Sequence, residues 1–132
     1  MYSETQRYST GNPYEAKFGY SRAVRKGPLI FVSGTTSVSA KTGELQHADG
    51  TAYEQAKTAF NELLQAVHQL GGRKEDTVRV RMFVTKDEDA EDVGRALKDS
   101  LGEVAPAATM ILGARFVDPR MKVEIELEAV VL

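Results

Sequence analysis

Glu124, Glu126 and Glu128 stand at every second position of the run Val123-Glu124-Ile125-Glu126-Leu127-Glu128-Ala129-Val130-Val131. A period of two marks a strand, so the three carboxylates share one face while Val123, Ile125, Leu127, Ala129 and Val131 share the other. A carboxylate held within hydrogen-bond reach of a water can act on it as a general base. A row of like charges is nevertheless disfavoured unless cations lie opposite or water reaches it, so this face must meet basic groups, a wet cleft, or both. Cations are at hand in a second run, where Arg79, Arg81 and Phe83 alternate with Val78, Val80, Met82 and Val84.

Other chemistries find less support. Ser33 has no histidine at any motif spacing, so a nucleophilic serine is not expected and a hydrogen bond to a ligand is the better use of it. His47 and His68 are isolated, and with no cysteine in the chain no metal site and no disulfide are expected. Neither a Gly-x-Gly-x-x-Gly nor a Walker loop occurs, and nothing calls for an organic cofactor. Tyr20 and Arg22, two apart in Phe18-Gly19-Tyr20-Ser21-Arg22-Ala23-Val24, would share a strand face. Ser33-Gly34-Thr35-Thr36 ends an apolar run with small residues, which suits a binding loop and a tight turn equally.

These groups must be positioned by a chain of 132 residues, 42% hydrophobic, which is ordinary single-domain size. The formal charge of -2 gives no general attraction to nucleic acid or anionic membrane, and the chain lacks the basic aromatic platform of an RNA binder. No apolar run approaches the ~18 residues of a membrane span, and the polar start is unlike a signal peptide. The expectation is a cytoplasmic protein with no membrane partner.

In chain order, residues 1–16 read as a loosely held arm because Gly11-Asn12-Pro13 breaks a polar stretch. Phe18 to Val24 reads as a strand, Lys26-Gly27-Pro28 as a turn, and Leu29-Ile30-Phe31-Val32 as its central hairpin partner. Thr51-x-x-Glu54 is a capping box before the stripe Tyr53, Ala56, Phe60, Leu63, Leu64 and Val67, which Gly71-Gly72 ends. The strand Val78–Val84 follows. A second helix then carries Ala90, Val93, Leu97 and Leu101, with Asp87, Glu88 and Asp89 in its first turn. Pro106 to Gly113 and Val123 to Val131 read as a closing hairpin about a turn at Val117-Asp118-Pro119.

The order β-β-α-β-α-β-β implies an α+β layer with one mixed sheet, and right-handed crossovers put both helices on the same face. The other face would be bare. It should carry Arg79 and Arg81 beside the glutamates of the last strand, and its exposure argues for a closed homo-oligomer.

Four separated segments in this order carry a resemblance: Gly19-Tyr20-Ser21-Arg22-Ala23-Val24, Gly27-x-Leu29-Ile30-Phe31-Val32-Ser33-Gly34-Thr35, Pro106-Ala107-Ala108-Thr109 and Val123-Glu124-Ile125-Glu126. They resemble the RidA family, also called YjgF or L-PSP, from about Phe18 to Val131. The resemblance implies a chorismate-mutase-like fold, a homotrimer with clefts between subunits, and the cofactor-free hydrolysis by which archetypal members turn reactive imines and enamines, such as 2-aminoacrylate, into ketoacids and ammonia; for this chain the expected product is a carbonyl compound and ammonia. It implies that Glu124 positions the attacking water, that Tyr20 is the cleft tyrosine, and that Ser33 and Gly34 form the Ser-Gly motif. Thr109 and Met110 complete the segment in which archetypal members carry Pro-Ala-Arg-Ser, whose arginine grips the substrate carboxylate. Here that place is Ala108, Met110 replaces a cleft cysteine, and Gly94 replaces an asparagine. The chain resembles an arginine-lacking branch with an altered substrate range.

Arg22 is the expected alternative cation. Arg115, seven positions beyond Ala108, would face the other way along a regular strand. Beside the hydrolase stands a non-catalytic trimeric module that binds a small metabolite. An RNA-acting protein is a distant third. Glu124 itself has a structural alternative, as the ion-pair partner of Arg79 or Arg81.

Overall fold

A computed structural model describes residues 4–132, in which the chain runs β1 (Thr5–Tyr8), α1 (Pro13–Phe18), β2 (Ala23–Lys26), β3 (Leu29–Thr35), α2 (Ala52–Gln69), β4 (Thr77–Val84), α3 (Ala90–Leu101), β5 (Ala107–Leu112) and β6 (Val123–Val130). The strands form one mixed sheet in the order β1-β2-β3-β6-β4-β5. The two long helices pack against each other on one face, so the mixed α+β layer expected from the sequence is the architecture found.

The reasons are local. The capping box is present, Thr51 and Glu54 each satisfying the other's backbone amide at the start of α2. Ala56, Phe60, Leu63 and Val67 of α2 and Val93, Ala96 and Leu101 of α3 meet Ile30 and Val32, Val80, Met82 and Val84, and Val123, Ile125 and Leu127 from the three central strands. Each large side chain fully buried there contributes about 1.5–3 kcal/mol relative to exposure.

Four expectations are corrected. Pro106 to Val131 is not a hairpin: β5 pairs in parallel with β4, and β6 lies on the other side of β4, antiparallel to both β3 and β4. The ten residues from Gly113 to Lys122 carry the chain across, more than a hairpin turn needs. The N-terminal stretch is not a loose arm. Thr5–Tyr8 is the edge strand, paired with β2, and Asn12 caps α1 by accepting from the Tyr14 amide; Met1 to Ser3 of that stretch lie outside the described residues.

The strand expected from Phe18 begins only at Ala23. Phe18 ends α1, Gly19 takes the left-handed conformation (φ 77°) that closes it, and Tyr20 to Arg22 form a connection. Finally, Val78 does not join the core side of β4. The register slips between Thr77 and Arg79, so Thr77 is buried and Val78 is exposed.

The sheet face away from the helices carries the expected charges. Arg79 lies opposite Glu128 and Arg81 opposite Glu126, with ion-pair distances of 3.5 and 3.2 Å, and Arg81 also reaches Glu128 at 3.7 Å. These partly exposed pairs are worth at most about 1 kcal/mol each. Leu29, Phe31 and Ile111 are exposed large apolar residues on the same face.

Candidate active site

The register that pairs Glu126 and Glu128 with arginines leaves Glu124 without one. Its neighbour across β4 is Phe83, so the alternative role as partner of Arg79 or Arg81 is overturned. On its other side lies an irregularity in β3. Val32 pairs with Leu127 and Thr35 with Ile125, so Ser33 and Gly34 together stand opposite Glu126 alone. Such a bulge re-aims side chains, and Gly34 is what makes room: a Cβ there would run into the Glu124 carboxylate.

Glu124 thus lines a cavity of about 220 Å³ with Gly34 and Thr36 of the β3 end, Tyr20 and Arg22 of the loop before β2, and Asn12, Tyr14 and Phe18 of the α1 segment. Arg115, Phe116, Val117 and Met121 from the segment between β5 and β6 complete it. Burial pushes the Glu124 carboxyl above its ordinary range, Glu126 adds to this, and the Arg22 guanidinium opposes it. A carboxylate so raised is a stronger base than a free glutamate.

Arg22 is held from several sides. It is only 4% exposed, donates from Nη2 to the Gly34 carbonyl (3.0 Å), lies 3.7 Å from the Glu15 carboxylate and stands 5.5 Å over the Tyr20 ring. Glu15 in turn accepts from the Thr10 amide and hydroxyl at 2.7 and 2.5 Å. A buried charge needs such partners, and this set fixes the guanidinium beside Tyr20 and the cavity. The Nε of Arg22 makes no hydrogen bond among the described residues.

The structure therefore gathers Tyr20, Arg22, Gly34 and Glu124. Ser33 is beside them but does not line the cavity: its hydroxyl donates to the Ser21 carbonyl (2.7 Å) and its amide to the Arg22 carbonyl (2.9 Å), pinning the Tyr20 loop to β3. Ala108, Thr109 and Met110 lie on β5 at the far edge of the sheet and do not line the cavity within one chain. Thr109 shares the bare face with Arg81, while Ala108 and Met110 alternate to the other side, Met110 against the core.

The sequence reading missed Arg115. Its parity argument presumed a strand running on past Leu112, whereas Gly113 (φ 87°) ends β5 and turns the chain toward the cavity. A glycine between the two positions was the available signal. Asn12, Tyr14 and Met121 had none. Among the described residues no three His, Asp or Glu side chains are grouped as metal ligands.

Residues 10–131 match the family described as Endoribonuclease L-PSP. An uncharacterised protein of Streptomyces coelicolor is 35% identical over 124 residues, spanning 94% of this chain and 90% of that one. A protein of Dermatophagoides farinae named 2-iminobutanoate/2-iminopropanoate deaminase is 26% identical over 107 residues, 81% of either chain. A solved structure from Mycobacterium tuberculosis, described as a member of the YjgF/YER057c/UK114 family, superposes with a TM-score of 0.85 at 31% identity, covering 97% of this chain and all of that one.

Proposed function

This chain belongs to the RidA/YjgF/L-PSP family, and from that premise we propose that its cavity hydrolyses small imines and enamines to carbonyl compounds and ammonia. The observation that carries the reading is the half-buried Glu124 carboxylate at the cavity wall, in no ion pair among the described residues, raised in pKa and placed by the Gly34 bulge. The deaminase name of one relative points the same way.

In this reading Glu124 takes a proton from water as the water oxygen bonds to the imine carbon and the C=N electron pair moves onto nitrogen. Glu124 returns that proton to the nitrogen, giving a carbinolamine, and the carbinol O–H proton then passes through Glu124 to the same nitrogen as the C–N bond breaks, so ammonia leaves and the oxygen becomes a carbonyl; an enamine enters after tautomerising to its imine. Tyr20 hydrogen-bonds the departing nitrogen, its ring held in place by Arg22. Ala108 supplies no charge, which separates the substrate range from that of relatives with an arginine there.

The reaction requires no metal or organic cofactor, and the cytoplasm, where metabolic imines form, is its setting. The chain acts as a homotrimer whose bare sheet faces meet, with clefts completed between subunits. Its exposed Leu29, Phe31 and Ile111 support that arrangement. Ser33, Thr109 and Met110 contribute to ligand binding indirectly or across such a cleft.

A second reading, a trimer that binds a metabolite without turnover, draws its support from Ala108. Nucleic acid fits less well, because Arg79 and Arg81 are already paired with glutamates.

The test is Glu124→Gln, assayed on imines generated in situ. Loss of about 10²–10⁴ in rate with ligand binding kept is expected of a general base. An unchanged rate removes Glu124 from the mechanism, and no turnover by the unaltered protein leaves the binding module.

A further inference from the structure

Two carboxylates have a claim on the buried guanidinium of Arg22, and only one of them pairs with it. Arg22 Nη2 donates to the Gly34 carbonyl at 3.0 Å, while the Glu124 carboxylate fills the space beside the α-carbon of the same glycine. Opposite charges thus meet across one residue. In a partly buried wall they attract more strongly than in water, yet among the described residues they form no ion pair. The carboxylate paired with Arg22 is Glu15, 3.7 Å from Nε, with side chains 5% and 4% exposed.

Glu15 touches no part of the cavity wall itself, and a buried carboxylate is costly unless something holds it. It is held on every side. The Thr10 amide and hydroxyl donate to its carboxylate, and the Gly19 and Tyr20 amides donate to its main-chain carbonyl at 2.9 and 3.0 Å. Arg22 is met from the other strand, its amide donating to the Tyr8 carbonyl at 2.8 Å. The α1 turn, capped by Asn12, therefore presents a fixed anion to a fixed cation.

The other titratable groups about Glu124 are Glu126 on its own strand and Tyr14, Tyr20 and Arg115 of the cavity wall, while β4 presents Phe83 there. About Glu15 there is also Tyr8 of β1. Of the two cations Arg22 is the buried one.

We infer that Glu15 is a positioning residue for Glu124: by engaging Arg22 it keeps that guanidinium from pairing with the cavity carboxylate and so leaves the carboxylate free as a base. The raised Glu124 carboxyl, which Arg22 opposes without overcoming burial, fits this arrangement. That Glu124 acts as a base rests on the hydrolase reading above. That Glu15 holds Arg22 away from it does not.

The experiment is a carbon-13 NMR titration of the Glu124 carboxyl in the full chain, identified by its loss in Glu124→Gln, beside pH–rate profiles on imines generated in situ. Glu15→Gln should move the Glu124 titration to lower pH and carry the acid limb of the rate profile with it, with turnover at pH 7 down about 10-fold as the base weakens. Made in an Arg22→Gln protein, the same change should leave Glu124 where Arg22→Gln alone put it. Glu15→Asp, which draws the charge back by one carbon, should shift the titration the same way by less, and it carries the test if Glu15→Gln does not fold. An unmoved Glu124 titration, or an equal shift with and without Arg22, overturns the inference, whatever happens to the melting temperature. A shifted titration in a protein without turnover upholds the positioning and removes the hydrolase, so the two failures are distinguishable.

Discussion

Gly34 and Glu124 compete for one space from neighbouring strands, the Glu124 carboxylate lying where a Cβ on residue 34 would be. Gly34 has no left-handed φ, so alanine is acceptable to its backbone, and the collision is with a flexible carboxylate rather than with main chain. Gly34→Ala should therefore fold and expel Glu124 from its position. The expected outcome is a turnover loss of about 10²-fold or more with a stability change within about 2 kcal/mol, read by an imine hydrolysis assay and a thermal melt. Full activity in a folded Gly34→Ala protein would show that Glu124 needs no such placement.

Glu124 should also leave a signature in stability. Its folded-state pKa lies above the ordinary 4.5, chiefly through burial, so the folded chain binds this proton more tightly than the unfolded chain does. That contribution is fully present below the unfolded value and is lost as pH rises through the folded pKa. At pH 7–8 the charged carboxylate is a cost that glutamine does not carry. Glu124→Gln should melt higher than the unaltered protein at pH 7–8, with the difference closing toward pH 4. A melting temperature lowered at neutral pH would instead mark Glu124 as a structural anion.

The bare sheet face gives the third prediction. Phe31 is 45% exposed and sits opposite Glu128, beside the Arg79 and Arg81 pairs. Burying such residues between copies of the chain should give a light-scattering mass close to three chains at micromolar concentration. Phe31→Glu, which adds charge where the single chain already exposes the side chain, should shift the mass toward one chain without unfolding it. A monomeric unaltered protein would sink the trimer and the clefts between subunits.

The sequence was most informative where one face of an element is dry. Alternation told which residues face the helices in Val123–Val130 and, from Val80 to Val84, in the strand read as Val78–Val84, and the prediction that these strands are neighbours holds, with Arg79 and Arg81 against Glu128 and Glu126. Alternation says nothing about what lies on a strand's second edge. That is why β5 was joined to β6 instead of to the far side of β4, although a ten-residue connection already argued against a hairpin.

Irregularities hid the rest. The paired residues Ser33 and Gly34, and the slip at Val78, each shift the period by one, and a strict count of two passes over both. The cavity is built largely at such breaks, at the bulge, after Gly19 and after Gly113, so Tyr20, Arg22, Gly34 and Glu124 could be listed from the sequence while Arg115 was turned the wrong way.

The place of β6 has a kinetic consequence. It is the last strand in chain order and yet it fills the middle of the sheet, bridging β1-β2-β3 and β4-β5. Until residues 123–130 are available, β3 and β4 each hold an unpaired edge and the two blocks share no ladder. Closing that gap joins β6 to β3, whose residues lie about a hundred positions earlier, a separation that slows folding and prolongs the exposure of sticky edges. A nascent or C-terminally clipped chain would thus be two half-sheets seeking a strand, open to taking it from another molecule.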